Sequence, residues 1–118
     1  MIEHRFCYLF EVRPESIDEY ERAHHDIPPR VPAAMRRAGV REYSLFRREM
    51  LVVAVGVSDR PVEEVMRILD GDLDNREWSR RIRTLMPAPL EPDGRLRFAP
   101  EVWRMPSGPD HHEKEGSA

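Results

Sequence analysis

In residues 4–12, His-Arg-Phe-Cys-Tyr-Leu-Phe-Glu-Val, the side chains of Phe6, Tyr8, Phe10 and Val12 alternate with those of Arg5, Cys7, Leu9 and Glu11. A period of two in an aromatic-rich stretch predicts a β-strand, because successive side chains of a strand leave on opposite faces. Both faces carry apolar groups here, rings on one side and Cys7 and Leu9 on the other. Such a strand has to be covered twice, by helices on one face and by another layer on the other.

Arg13-Pro14 ends the strand, and Ser16 followed by Glu19 forms a capping-box pattern that opens a helix with an inward stripe of Ile17, Tyr20, His24 and Ile27. Pro28-Pro29 break that helix. Pro32 is placed to begin a fresh helical segment through Arg37, with Gly39 as its left-handed terminator. Residues 42–47 and 50–57, rich in Tyr, Phe and Val, predict a β-hairpin across Arg48-Glu49, a link without the asparagine-glycine that would set its register. Pro61 then starts a helix with Val62, Val65, Met66 and Leu69 on one face. After Gly71 another helix runs from about Asp74, carries Trp78, Ile82, Leu85 and Met86 on its stripe, and stops at Pro87. Residues 88–95, with an Asp93-Gly94 turn, form a loop, and residues 96–105 form a last strand that Pro100 marks as an edge. Residues 107–118 lack apolar periodicity and are expected to be a disordered tail. His111 and His112 within it would bind metal only adventitiously.

The order strand, helix, strand, strand, helix, strand is that of a split βαβ unit. The expected fold class is therefore α+β: one ferredoxin-like domain over residues 1–106, a four-stranded antiparallel sheet with helices on one face. The apolar outer side of the first strand and the valine-rich residues 50–57 leave the second face bare, which predicts that two copies close sheet on sheet as a homodimer, a dimeric α/β barrel. Size argues the same way. A chain of 118 residues buries only about two thirds of its unfolded surface by itself.

Composition narrows the function classes. The net charge is −3 although 35% of residues are charged, and the basic residues are interleaved with acidic ones, so no footprint for nucleic acid exists. No apolar run approaches the roughly 20 residues of a membrane span, and Met1-Ile2-Glu3-His4-Arg5 is not the head of a signal peptide. The single cysteine, Cys7, cannot pair within the chain and suits a reducing interior as a small buried hydrophobe. A soluble cytoplasmic protein is expected.

Tyr20 and His24 are four residues apart and share one helical face. An imidazole titrates near neutrality, so a histidine held beside a hydrogen-bonding phenol in a cavity is an acid/base site, whereas on a solvated face the same pair does nothing. His25 is adjacent, and Tyr20's face selects His24 over it. His24-His25-Asp26 lacks the i, i+4 histidine pairing that grips a metal, so no metal site is expected.

Arg5 and the aromatic strand ending in Val12-Arg13-Pro14, Glu19-Tyr20 followed by His24, Ile27 and Pro29, Gly39-Val40 with Tyr43, Trp78 eight residues before Met86-Pro87, and Glu101-Val102-Trp103 recur in order along residues 2–106. In that order and spacing the chain resembles the L-rhamnose mutarotase family, small dimeric α/β-barrel proteins that interconvert the anomers of a deoxy-sugar. The resemblance implies His24 as the proton donor, Tyr20, Tyr43 and Trp78 as substrate-binding residues, a small-molecule sugar as substrate and no cofactor. Periodicity alone reads Trp78 as core and Tyr43 as packing. Three departures bear on the substrate: the family's Ile-Trp-Pro is Ile27-Pro28-Pro29 here, its paired tryptophans are Trp78-Ser79, and a second hairpin tyrosine is Phe46. These put L-rhamnose itself in question and bring in another 6-deoxyhexose such as L-fucose. Two other readings compete. One is a non-catalytic dimeric barrel that binds a small ligand; the other is a cofactor-independent oxygenase or cyclase of the same barrel type.

Overall fold

The computed structural model describes residues 2–87 and 90–108. His111 and His112, and the expected tail from residue 109 on, lie outside the described residues. Along the chain, β1 (His4–Glu11) leads through a 3-10 turn (Pro14–Ser16) into α1 (Ile17–His25), followed by α2 (Arg30–Ala38), β2 (Val40–Arg48), β3 (Leu51–Ser58), α3 (Val62–Gly71), α4 (Leu73–Arg83) and β4 (Arg97–Phe98). The strands form one sheet in the order β2-β3-β1-β4 with antiparallel pairing throughout. This is the expected ferredoxin-like α+β arrangement.

The register explains how one face becomes a floor. Phe6, Tyr8 and Phe10 of β1 stand opposite Gly56, Ala54 and Val52 of β3, and Tyr43 and Leu45 of β2 stand opposite Gly56 and Ala54. Large side chains on the two strands flanking β3 thus lean over small residues on β3 itself. A Cβ built on Gly56 would lie 2.3 Å from Cζ of Phe6, so glycine is what lets that ring lie flat on the sheet. Under the helices the core divides in two. Phe10, Val12, Tyr20, Val52, Ile82 and Met86 pack at one end, while Ala38, Val40, Val65 and Leu69 pack at the other.

Several local expectations are corrected. The Ser16 side chain makes no cap bond to α1. Its backbone sits at φ −107°, ψ 4°, tied into the 3-10 turn by Ser16 N–H donating to the Arg13 carbonyl at 2.9 Å, and the side chain lacks the extended geometry that aims a capping oxygen inward. α2 begins at Arg30, two residues before Pro32. The amides that Pro28, Pro29 and Pro32 lack belong to the link and first turn, where no intrahelical acceptor waits for them. Gly39 terminates α2 at φ 108° as expected, donating its N–H to Met35 and Arg36. α4 starts on Asp72, whose carboxylate accepts from the amides of Asp74 and Asn75 at 3.0 and 3.2 Å, and it ends at Arg83 with Leu85 and Met86 buried beyond it.

The hairpin turns on Glu49-Met50, with Glu49 at φ 53°, a positive value that tight hairpins place on a central residue even without glycine. The last strand is two residues long, not the stretch 96–105. Ala99 N–H still donates to the Cys7 carbonyl at 2.8 Å, but Pro100 has no N–H to continue the ladder. Beyond it the chain leaves the sheet with Val102 97% and Trp103 72% exposed.

Candidate active site

A cavity of about 430 Å³ lies between the sheet floor and the helices. It exists because Ala54 and Gly56 leave the centre of the floor low while α1, α2 and α4 are held at its rim. Ion pairs from Arg37 to Asp72 and Asp74, and from Arg30 to Glu77, tie α2 to α4. Arg47 to Glu21 ties β2 to α1. Apart from Asp72 and Arg47 the partners are largely exposed, and exposed pairs contribute little to stability. They fix orientation more than they add free energy.

The structure brings Tyr20, His24, Tyr43 and Trp78 to the lining of this one cavity. Tyr20 and His24 lie on one face of α1 with ring centroids 4.3 Å apart, and the Trp78 ring of α4 stands edge-on to His24 at 5.3 Å. His24 Nδ1–H donates to the Tyr20 carbonyl at 2.8 Å. A carbonyl can only accept, so this bond fixes the proton on Nδ1 and leaves Nε2 as the reactive nitrogen. Burial lowers the His24 pKa below its ordinary value, with the Nδ1 bond opposing that shift and the Arg81 guanidinium adding to it. Arg81 also lies over the Trp78 ring at 5.6 Å, a cation–π contact that steadies the indole. His25 is exposed, so the imidazole at the cavity is His24.

Sequence reasoning treated Tyr8 only as a strand residue, but it belongs to the cavity wall. Its hydroxyl bonds that of Tyr43, the two phenols meeting across β3. Burial raises the pKa of both, so each keeps its proton at ordinary pH. The signal for Tyr8 was its parity: it shares the inward face of Phe6 and Phe10 and carries a polar tip. The Tyr20 hydroxyl, also raised by burial, is buried without a hydrogen-bond partner. Most of the remaining wall is apolar, including Phe6, Phe10, Leu45 and Met66.

The three family departures separate in space. Ser79 lines the cavity. Phe46 projects from the opposite face of the sheet, 61% exposed, and Pro28 lies in the link between α1 and α2. Among the described residues no group of three or more His, Cys, Asp or Glu side chains is arranged to hold a metal ion. No described helix is long and apolar enough to cross a membrane.

Comparison with known proteins bears on the family and the fold. The chain is 28% identical over 87 residues to an L-rhamnose mutarotase of Enterobacter sp. (strain 638), and 25% identical over 84 residues to one of Yersinia pestis (strain Pestoides F). Each match covers 71% of this chain and 81% of the relative. The crystal structure of an L-rhamnose mutarotase from Formosa agariphila superposes with a TM-score of 0.68 at 18% identity, over 87% of this chain and 99% of that one. Tetracenomycin F2 cyclase from Streptomyces glaucescens, a type-II polyketide cyclase, shares the fold with a TM-score of 0.59 at 19% identity, over 90% and 99% of the two chains. Because the family profile for L-rhamnose mutarotase matches residues 5–105, nearly the whole described domain, the chain belongs to the L-rhamnose mutarotase family.

Proposed function

We propose that the protein interconverts the α and β anomers of a 6-deoxyhexose, L-rhamnose or a relative such as L-fucose, by acid/base ring opening at His24 without metal or cofactor. Membership of the family makes it an anomer-interconverting isomerase; the sugar, the residues and the mechanism are our reading. The observation that carries it is the His24 ring, half-buried at the cavity, its Nδ1 proton held by the Tyr20 carbonyl and Nε2 left for chemistry.

In the forward step the imidazolium gives its Nε2 proton to the ring oxygen while the anomeric hydroxyl loses its proton to solvent. The bond between C1 and the ring oxygen breaks, leaving a C1 aldehyde and a C5 hydroxyl. After rotation about C1–C2, the C5 oxygen attacks the other face of the aldehyde. Its proton returns to Nε2 and the new anomeric oxygen takes one from solvent. A positioned acid/base group is typically worth about two to four orders of magnitude in rate. Trp78 offers an indole face to the C–H side of the sugar, Tyr20 and Tyr43 offer hydroxyls, and the apolar wall suits the methyl group that replaces the C6 hydroxyl in a 6-deoxyhexose.

The homodimer belongs to the same proposal. Cys7, Leu9, Val53 and Val55 form the centre of the outer sheet face, with Phe46 and Leu51 exposed beside them, and a second copy would cover this surface. The lone Cys7 suits a cytoplasmic setting. Exchange between anomers of L-rhamnose, L-fucose and non-deoxy hexoses, followed at equilibrium by saturation-transfer NMR, tests the function. The expected result is acceleration for a 6-deoxyhexose, lost by about 10²–10⁴ in His24→Ala and retained in His25→Ala. No acceleration for any sugar would sink the proposal in favour of a ligand-binding or cyclase role, which the aromatic, apolar wall also accommodates.

A further inference from the structure

We propose that Tyr8 is a specificity-determining residue that acts with Tyr43 as a two-hydroxyl clamp on one hydroxyl group of the sugar. The proposal rests on the mutarotase reading above and assigns a part of the site that neither the helix pair nor the indole supplies. Tyr8 and Tyr43 come from β1 and β2, which are not paired with each other; β3 runs between them. Their side chains meet because β3 presents only Ala54 and Gly56 beneath them, and any larger residue there would keep the hydroxyls apart.

A hydroxyl pair holds two protons, and the bond between the two oxygens uses one. The other proton and the remaining lone pairs face a cavity whose wall includes Phe6, Phe10 and Leu45, which can neither receive nor give a hydrogen bond, and Tyr20, whose hydroxyl has no partner either. A buried polar group is costly unless it is paired. The pair therefore awaits a ligand that carries a hydroxyl. Because either oxygen can donate to the other, the free proton can sit on Tyr8 or on Tyr43, and the clamp can act as donor and acceptor at once toward a single hydroxyl. Its position is rigid: the Tyr8 ring is stacked on Phe6 at 6.3 Å and packed against Phe10 at 6.2 Å and Phe98 at 5.7 Å. A rigid site built to bond a hydroxyl rejects the analogue lacking it far more strongly than an apolar wall rejects an added group. Tyr8 is thereby the residue on which discrimination among deoxy-sugars turns.

Tyr8→Phe keeps the ring and its stacking and removes only the oxygen. With L-rhamnose, L-fucose and the 2-, 3- and 4-deoxy derivatives of whichever is the better substrate, anomer exchange is measured against sugar concentration for wild type, Tyr8→Phe and Tyr43→Phe. The expected result is a KM about tenfold higher for Tyr8→Phe on the parent sugar, with kcat changed less than about threefold. For one monodeoxy derivative, wild type and variant should have the same KM, because the hydroxyl read by the clamp is gone. An equal loss on every sugar, or no change on any, overturns the clamp while leaving the mutarotase reading intact. Wild-type protein inert on the whole panel overturns that reading, and the clamp with it. A variant that does not fold is bypassed with wild-type protein carrying [4-13C]tyrosine: saturating parent sugar should shift the Tyr8 and Tyr43 Cζ resonances together, and an unmoved Tyr8 signal overturns the proposal.

Discussion

His24 is asked to be an acid inside a site that disfavours its charged form, and the two demands have opposite pH dependences. Burial holds its folded pKa below the ordinary 6.5. Above pH 6.5 the ring is neutral in folded and unfolded chains and contributes nothing to the pH slope. Between 6.5 and the lowered folded value the unfolded chain binds the proton first, so stability falls as pH falls, and the loss levels off below the folded value. Over the same window the imidazolium fraction in the folded protein grows. Wild type should therefore show mutarotation per folded molecule rising, and urea midpoint falling, as pH drops below 6.5, with the His24 part of the urea slope absent in His24→Gln. A rate that falls with pH over that window would mean that the neutral ring does the chemistry. At Gly56 the prediction is steric. A methyl there would meet the Phe6 ring well inside contact distance, so Gly56→Ala should tilt that ring into the cavity, cost about 1–3 kcal/mol in denaturant titration, and raise KM. The importance of Gly56 is not visible in sequence: it reads as a weak point in a strand until the ring lying on it is seen.

Among the elements, the helices show how local signals succeed or fail. Gly39 and the prolines around residue 30 act through their own backbone, so the α2 terminator was legible and its start was misplaced by only two residues. The Ser16-Glu19 pattern failed because a 3-10 turn took up the serine's backbone. The working cap is at Asp72, which a reading focused on Gly71 passed over. Asp72 caps α4 and also pairs with Arg37 of α2 at 2.9 Å, so one side chain sets the start of the Trp78 helix and its distance from α2. Its hydrogen bond with Arg37 is the main reason its pKa lies below the ordinary range. Asp72→Ala should cost about 1–2 kcal/mol, measured by urea unfolding, and should weaken sugar binding through a displaced Trp78. With a depressed folded pKa, the carboxylate's contribution is present above its unfolded pKa and fades as pH falls through the lowered value. An Asp72→Ala variant as stable as wild type would show that the cap and pair contribute nothing.

For the whole molecule, the outer face of the sheet makes the clearest demand. Phe46, Val55 and Leu51 are exposed on it, and the departing segment exposes Val102, Trp103 and Met105 as well, apolar side chains of the kind that mark an interaction surface when they lie together. Sedimentation should find a dimer at micromolar concentration, and Phe46→Glu combined with Val55→Glu should give a monomer that keeps its helices by circular dichroism. A wild-type protein that sediments as a monomer would leave this face unexplained. Alternation, prolines and glycines by themselves determined the order of strands and helices, the α+β class and the shared face of Tyr20 and His24, because those signals act through the backbone of adjacent residues. Only the tertiary structure decided that Tyr8 meets Tyr43, that Gly56 makes room for Phe6, and that the last strand is two residues long. Each of these depends on which strand lies beside which and on what volume the middle strand leaves empty. Contacts between residues far apart in the chain carry no local periodicity from which they can be read.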